Sequence, residues 1–197
     1  IVEQHVHGLD LMTWAMNDAH PEWCFGLGGR QARTDEKFGH IYDHHAVCYE
    51  YGEDVRCFSY CRQQPGTYAD TSQLVFGSRG VADIRKGTLK GDETWRYSRS
   101  RDKDREVTPY QREQNALFAS IRSGKPINNG LYMARSSLLA LMSTWCSYTG
   151  REITWEEAFN SNMQSNPAGY SWDANPPTKP GADGSYPIAG PGLTEFA

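Results

Sequence analysis

Residues 45–63 read HAVCYEYGEDVRCFSYCRQ, two runs of apolar and aromatic residues on either side of Gly52-Glu53-Asp54. Two strand-like runs separated by three residues that include a glycine are typical of a β-hairpin. Further strand-like runs lie at residues 23–31, 74–77 and 81–85. Because consecutive strands joined by tight turns pair antiparallel, the pattern predicts a predominantly antiparallel sheet rather than a βαβ fold.

Helical segments flank the strand region. Apolar residues recur with helical spacing over residues 2–16. After the strands, Thr108 and Thr154 stand at expected N-cap positions, and glycines follow the two longer helical runs. This order predicts an α+β fold with an open antiparallel sheet that carries the helices on one face. We expect this domain to occupy residues 1–160 and the Pro/Gly-rich residues 161–197 to form an extended tail.

Composition argues against several classes of partner. The 197 residues carry a net charge of −4, which argues against nucleic acid as the main partner. No apolar run approaches the ~18 residues that a membrane span requires, so no membrane partner is expected. The five cysteines form no CxxC pair and favour buried free thiols, with a disulfide or metal role as the alternative. The chain begins inside a helical pattern, so we expect a part of the protein to precede it.

One face of the first helical segment carries candidate acid–base chemistry. Glu3, His7, Asp10 and Trp14 follow one another at i, i+4, i+7 and i+11 and would share a helix face. A carboxylate one turn from an imidazole can orient the ring and raise its basicity. We therefore take His7 and Glu3 as candidate catalytic residues, with a merely solvated acid–histidine pair as the alternative. The histidines lack the spacing of a metal site, and no metal is predicted.

Two glycine clusters do not predict a nucleotide site. Residues 26–29 and 77–80 follow strand-like runs, but neither cluster opens a helix. A dinucleotide fingerprint requires its glycines between a strand and a helix. No cofactor-binding residue is therefore predicted within this chain.

Residues 3–14, EQHVHGLDLMTW, resemble the active-site helix of the glucose–fructose oxidoreductase/inositol dehydrogenase (Gfo/Idh/MocA) family. That helix usually reads Asp-x-Gly-x-His-x-x-Asp and is followed by Trp. His7 falls on the family's catalytic His and Asp10 on the following Asp, whereas Glu3 replaces the usual Asp and His5 the usual Gly. Residues 114–126 also resemble a helix of this family, and the motifs at 42–45 and 61–63 look like one of its bacterial branches. The resemblance covers residues 1–160.

The resemblance implies an NAD(P)-dependent oxidoreductase acting on a CH–OH group of a sugar or polyol. NAD or NADP would be bound by an N-terminal domain outside this chain, so the chain alone should be inactive. His7 would take or give the hydroxyl proton and Glu3 would orient it. The candidate substrate contacts are Asp10, Arg30, His44 and Arg62. For the three strand residues Arg30, His44 and Arg62, surface charge is the alternative interpretation.

Two other functions stay open at this stage. Some members of the family are NAD-dependent glycosidases, and the domain could instead serve assembly alone. In the family the open sheet face pairs subunits, which implies a homo-oligomer. The resemblance favours the bacterial cytoplasm and leaves twin-arginine export to the periplasm open.

Overall fold

The computed structural model describes residues 1–98, 106–163 and 166–196. Over these residues the fold is α+β with antiparallel sheets, as the sequence predicts. The chain divides into two compact units, one formed by Ile1–Ala69 with Arg135–Ala197 and the other by Asp70–Ala134. In chain order the main elements are α1 (Val6–Ala15), β1 (Trp23–Gly29), β2 (His44–Glu50), β3 (Arg56–Arg62), β4 (Leu74–Gly77), β5 (Gly80–Asp83), β6 (Thr88–Gly91), β7 (Trp95–Arg96), α2 (Pro109–Arg122), α3 (Gly130–Thr149), β8 (Ile153–Thr154) and α4 (Trp155–Phe159).

The first unit contains a four-stranded antiparallel sheet in the order β3-β2-β1-β8. The predicted hairpin is confirmed, since β2 and β3 pair antiparallel from His44 opposite Arg62 to Glu50 opposite Arg56. Its turn is tight because Gly52, Glu53 and Asp54 all have positive φ. The short strand β8 pairs with the beginning of β1 and thereby returns the chain to this sheet after α3.

The core of the first unit lies on one face of this sheet, which we call the inner face. Cys24, Val47 and Tyr49 point to it and are buried together with Met142 and Cys146 of α3. The hydroxyl of Tyr49 donates to the carbonyl oxygen of Leu139 at 2.6 Å, so this buried polar group is satisfied.

Glycines in β1 allow α3 to approach the sheet closely. A Cβ at position 26 would lie 2.8 Å from Val47 Cγ2 and 3.2 Å from Cys146 Sγ. A Cβ at position 28 would lie 3.1 Å from Ser147 Cβ. The glycines that resemble a nucleotide fingerprint in the sequence therefore serve strand–helix packing.

Helix α1 also packs on the inner face, but it is shorter than predicted. It begins at Val6 rather than at residue 2, and it buries Leu9 and Thr13. Residues before it form a turn, in which the N–H of His5 donates to the carbonyl oxygen of Ile1. Two side-chain bonds hold this segment: His5 Nε2 lies 2.7 Å from Ser59 Oγ, and Ser136 Oγ donates to Asp10 Oδ1 at 2.6 Å.

The second unit contains its own antiparallel sheet, in the order β4-β5-β6-β7. The prediction of a single open sheet is therefore wrong in this respect, because the strands form two separate four-stranded sheets. The linking residues contain Pro65 and Gly66, which interrupt strand pairing. Helix α2 lies in this unit and begins as predicted, with Thr108 accepting from the N–H of Gln111.

The described tail residues 161–163 and 166–196 contain no helix or strand. The tail nevertheless contacts the first unit, where Tyr42 donates its hydroxyl hydrogen to Ala189 O at 2.8 Å. The ring of Phe196 lies 5.1 Å from that of Trp145. Within the described part of the chain, none of the helices has the length and apolarity that a membrane crossing requires.

Candidate functional site

The helix face predicted for acid–base chemistry is present only in part. His7 and Trp14 are exposed on α1, and Asp10 is half-buried and bonded to Ser136. Glu3 is exposed but lies in the turn formed by residues 2–5, before α1 begins at Val6. The structure thus keeps His7 and Asp10 on one helix and places Glu3 outside it.

His5, rather than His7, is the histidine of this segment that packs against the sheet. Its ring reaches Ser59 on the inner face, and burial lowers the pKa of His5 below its ordinary value of 6.5. A neutral, hydrogen-bonded ring in this position is a packing group. The sequence feature that distinguishes His5 from His7 is the apolar stripe of the first helical segment, because His5 lies on the side of that stripe and faces the sheet.

The neighbouring histidines of β2 point to opposite faces, as strand alternation predicts. His45 lies on the inner face and is 6% exposed, with Nδ1 2.8 Å from Ser147 Oγ. Burial above all, together with the charges of the N-terminus, His44 and His5, lowers the pKa of His45 to about 4. His44 lies on the other face, which we call the outer face.

His44 is held by the buried carboxylate of Asp43, a residue that sequence reasoning did not single out. Nδ1 of His44 lies 2.8 Å from Asp43 Oδ1, and the side chain of Asp43 is 0% exposed. The side chain of His44 is 32% exposed. A sequence signal did exist, since an Asp directly before a strand histidine can reach back to bond its ring.

The candidate arginines lie near the same end of the sheet. Arg30 donates to the carbonyl oxygens of Gly39 and Asp35, the latter at 3.1 Å. Arg62 stands opposite His44 in the β2–β3 pair, so both side chains lie on the outer face. Arg62 donates to the carbonyl oxygen of Tyr68 at 2.9 Å.

The structure therefore does not bring all the candidate residues into one cleft. His7 and Asp10 belong to a helix that packs on the inner face, whereas His44 and Arg62 lie on the outer face. Alternation along β2 and β3 turns these two side chains away from α1, so they do not share a cleft with His7.

The outer face of the first sheet carries exposed apolar side chains. Residues opposite each other share a face, so Phe25 and Phe58 lie on either side of Cys48, and Leu27 and Tyr60 lie on either side of Ala46. The exposed fractions are 50% for Phe25, 77% for Leu27, 61% for Phe58 and 69% for Tyr60. Four large apolar side chains on one flat face are more than the scattered exposure that a surface normally shows.

The second unit holds a separate shallow cavity of about 460 Å³. Its lining includes Ile84, Leu89, Trp95 and Tyr97, and none of the candidate site residues. No group of three or more His, Cys, Asp or Glu side chains suited to a metal ion is found among the residues described. All five cysteines are free thiols.

Neither glycine cluster of the described residues fits the pyrophosphate of a nicotinamide nucleotide. The cluster at 26–29 lies inside or at the end of β1, where the glycines pack against a helix and a histidine ring. The second cluster, residues 77–80, forms the turn between β4 and β5. Neither leads into a helix N-terminus that could bind a pyrophosphate.

Comparison with known proteins supports the fold. No protein-family model matches this chain, and no curated protein matches it in sequence. A crystal structure described as a probable dehydrogenase from Thermotoga maritima superposes with a TM-score of 0.54 and 18% sequence identity. The match covers 79% of this chain and 49% of that one, so this chain spans about half the length of the solved structure. At this identity the likeness shows a shared fold.

Proposed function

We propose that this chain is the substrate-side domain of an NAD(P)-dependent oxidoreductase that acts on a CH–OH group of a sugar or polyol. The observation that carries the proposal is the shared fold with half of a probable dehydrogenase. The resemblance of residues 3–14 to the active-site helix of the Gfo/Idh/MocA family supports it independently. The nucleotide would be bound by a part of the protein outside this chain.

His7 is the proposed proton donor and acceptor for the substrate hydroxyl. Its ring is exposed on α1, where a ligand can reach it. The bond from Ser136 to Asp10 ties α1 to α3 and so holds the direction in which His7 points. Glu3 and His7 are both solvent-accessible, and Glu3 would assist from the turn before the helix.

The test is substitution of His7 in the intact enzyme. His7→Ala should lower the turnover number by roughly 10²–10⁴-fold, the usual worth of a positioned acid–base group. Gln4→Ala is the matched control, because Gln4 is an exposed neighbour in the preceding turn without acid–base chemistry. Near-normal turnover of the His7→Ala enzyme would remove His7 from the mechanism.

The choice between dehydrogenase and glycosidase rests on the products. A dehydrogenase reduces NAD(P) when it is given a free sugar or polyol. A glycosidase of this family would release the alcohol from an aryl glycoside without net reduction of NAD(P). Residues 1–197 alone should show neither activity and should not bind NAD or NADP in calorimetric titration, because no glycine-rich turn of the described chain leads into a helix. Micromolar binding would contradict this.

We further propose that the centre of the outer face of the first sheet pairs with a second copy of the chain and leaves the His44–Arg62 end of that face open. Phe25, Leu27, Phe58 and Tyr60 supply the apolar centre that such an interface requires. Leu27→Lys should shift sedimentation velocity profiles toward monomer, whereas Leu193→Lys, at an 88% exposed tail position, should not. A wild-type chain that sediments as a monomer at tens of micromolar would contradict the interface.

A further inference from the structure

The end of the outer face at β2 carries a fully buried, fully bonded carboxylate. Asp43 Oδ2 accepts the backbone N–H groups of Gln31, Ala32 and Arg33 at 2.8, 2.7 and 2.9 Å. Burial alone would raise the pKa of Asp43, but the bonds from His44 and these N–H groups outweigh it and hold the pKa well below its usual range. Asp43 is therefore ionised at neutral pH.

An ionised carboxylate can only accept hydrogen bonds, which fixes the proton on the ring of His44. Asp43 Oδ1 lies 2.8 Å from His44 Nδ1 and accepts from Gln64 Nε2 at 3.0 Å. Nδ1 must therefore carry the hydrogen, and in the neutral ring Nε2 bears the lone pair. The buried partner selects the tautomer that leaves an acceptor at the far side of the ring.

The position of the ring is fixed by its other neighbour as well. A Cβ at position 29 would lie 3.0 Å from Cε1 and 3.3 Å from Nε2 of His44, so the imidazole lies over Gly29. Since the side chain of His44 is 32% exposed, solvent and ligands can reach it. The ring is therefore an oriented acceptor at the surface, held on one side by a carboxylate that is not itself accessible.

Positive charge without a carboxylate partner lies beside this acceptor. Arg62 is directly opposite His44, at a Cα–Cα separation of about 4.5–5.5 Å for such pairs. Within residues 1–98, 106–163 and 166–196, neither Arg62 nor Arg33 forms an ion pair; their side chains donate to Tyr68 O and Gln63 Oε1. The charge of Asp43 is buried and already bonded, so a ligand anion would meet the guanidinium group of Arg62.

We propose that His44 and Arg62 form a binding site for a hydroxy carboxylate. A hydroxyl group of the ligand donates to Nε2 of His44, and its carboxylate binds the guanidinium group of Arg62. Asp43 is a positioning residue that sets the ring and its tautomer. The site lies on the face of the sheet opposite to α1 and depends neither on His7 nor on a nicotinamide cofactor.

The first test reads the tautomer by ¹⁵N NMR of histidine side chains in the 197-residue chain. The wild-type ring should show Nδ1 protonated and Nε2 unprotonated, with the signal assigned by its loss in His44→Gln. In Asp43→Asn, the amide oxygen should accept the three backbone N–H groups, so that the amide nitrogen faces His44 Nδ1. That change should move the hydrogen to Nε2. A wild-type ring protonated at Nε2 would overturn the proposal.

The second test reads binding through the same His44 signals. Gluconate is the probe, glucose its uncharged counterpart and inorganic phosphate an anion without carbon-bound hydroxyl groups. Gluconate should shift the His44 signals saturably, and neither glucose nor phosphate should do so at the same concentration. Arg62→Gln should weaken gluconate binding by about 10- to 100-fold, the range for a lost charge-assisted bond.

Arg56→Gln is the matched control for the second test. Arg56 lies on the same strand and face at the far end of β3, where it bonds Glu50 at 2.6 Å, so its loss should leave gluconate binding unchanged. Equal effects of the two arginine substitutions, equal shifts with glucose or phosphate, or no shift with gluconate would each overturn the proposal. The binding measurements of the second test do not use the Asp43→Asn variant, so they remain valid even if that variant does not fold.

Discussion

Lowering the pH from 7.5 to 4.5 should destabilise the first unit through protonation of His45. The ring is buried, and its Nδ1 donates to Ser147 Oγ, whose own hydrogen is used on Ser143 O at 2.7 Å. Among the described residues no acidic side chain bonds the ring, and the nearby charge of Asp43 favours the protonated form only weakly, so a proton added at Nε2 would place a charge in the core without a bonded carboxylate. This is why burial lowers the pKa of His45 to about 4.

The size of the effect follows from linkage. In the unfolded chain His45 titrates near 6.5, so between pH 6.5 and 4 the unfolded state binds more protons and stability falls as the pH falls. The full difference between the unfolded and folded pKa values of His45 corresponds to about 3 kcal/mol of unfolding free energy. About 2.5 kcal/mol of this should be lost by pH 4.5. Asp43 acts in a lower window, because the stability from its depressed pKa is lost only as the pH falls below 3.8.

The assay is urea denaturation at several pH values between 7.5 and 4.5. Wild-type chain should lose about 2.5 kcal/mol of unfolding free energy over this range, whereas His45→Gln should lose far less, whatever its stability at pH 7.5. His5→Gln separates the smaller contribution of His5, whose pKa burial also lowers. If His45→Gln kept the wild-type pH dependence, the buried neutral ring would not be its source.

Two further substitutions test the packing and capping inferred above. Gly28→Ala should cost about 1–3 kcal/mol, because its Cβ would lie 2.9 Å from a β2 carbonyl oxygen and from the ring of Tyr42. Gly169→Ala, with nothing within 4 Å, should change stability by less than about 0.5 kcal/mol in the same urea assay. Thr154→Ala removes the reciprocal bonds with Glu157 at the start of α4 and should cost about 1 kcal/mol, measured by thermal unfolding.

The parts of the fold that the sequence predicts are those governed by neighbours along the chain. The β2–β3 hairpin follows from two strand-like runs around a glycine-containing turn, and the observed strands differ from the prediction by about one residue at their ends. The helix starts at Thr108 and Thr154 follow from capping side chains that bond three residues ahead. The division into two sheets depends on pairing between distant segments. The alternation of residues within a strand does not show which other strand it pairs with.

The candidate site shows the same limit. Spacing alone predicts that Glu3 and His7 share a helix face, but it cannot show that α1 begins only at Val6. It also cannot show that the His5 ring bonds Ser59, 54 residues away. It also cannot show what surrounds Asp43. Three of its donors are backbone N–H groups ten to twelve residues earlier in the chain, and any residue type other than proline supplies that group.

A one-residue step along β2 separates the two kinds of histidine in this protein. His45 points to the inner face, where its ring bonds a serine hydroxyl and burial keeps the ring neutral. His44 points to the outer face, where a buried carboxylate bonds Nδ1 and the side chain is partly exposed. The same residue type therefore serves packing in one position and the proposed ligand site in the next. A shift of register by one residue would exchange these environments. It would place His44, whose ring bonds Asp43, in the core, and it would place His45, whose ring is buried, in solvent.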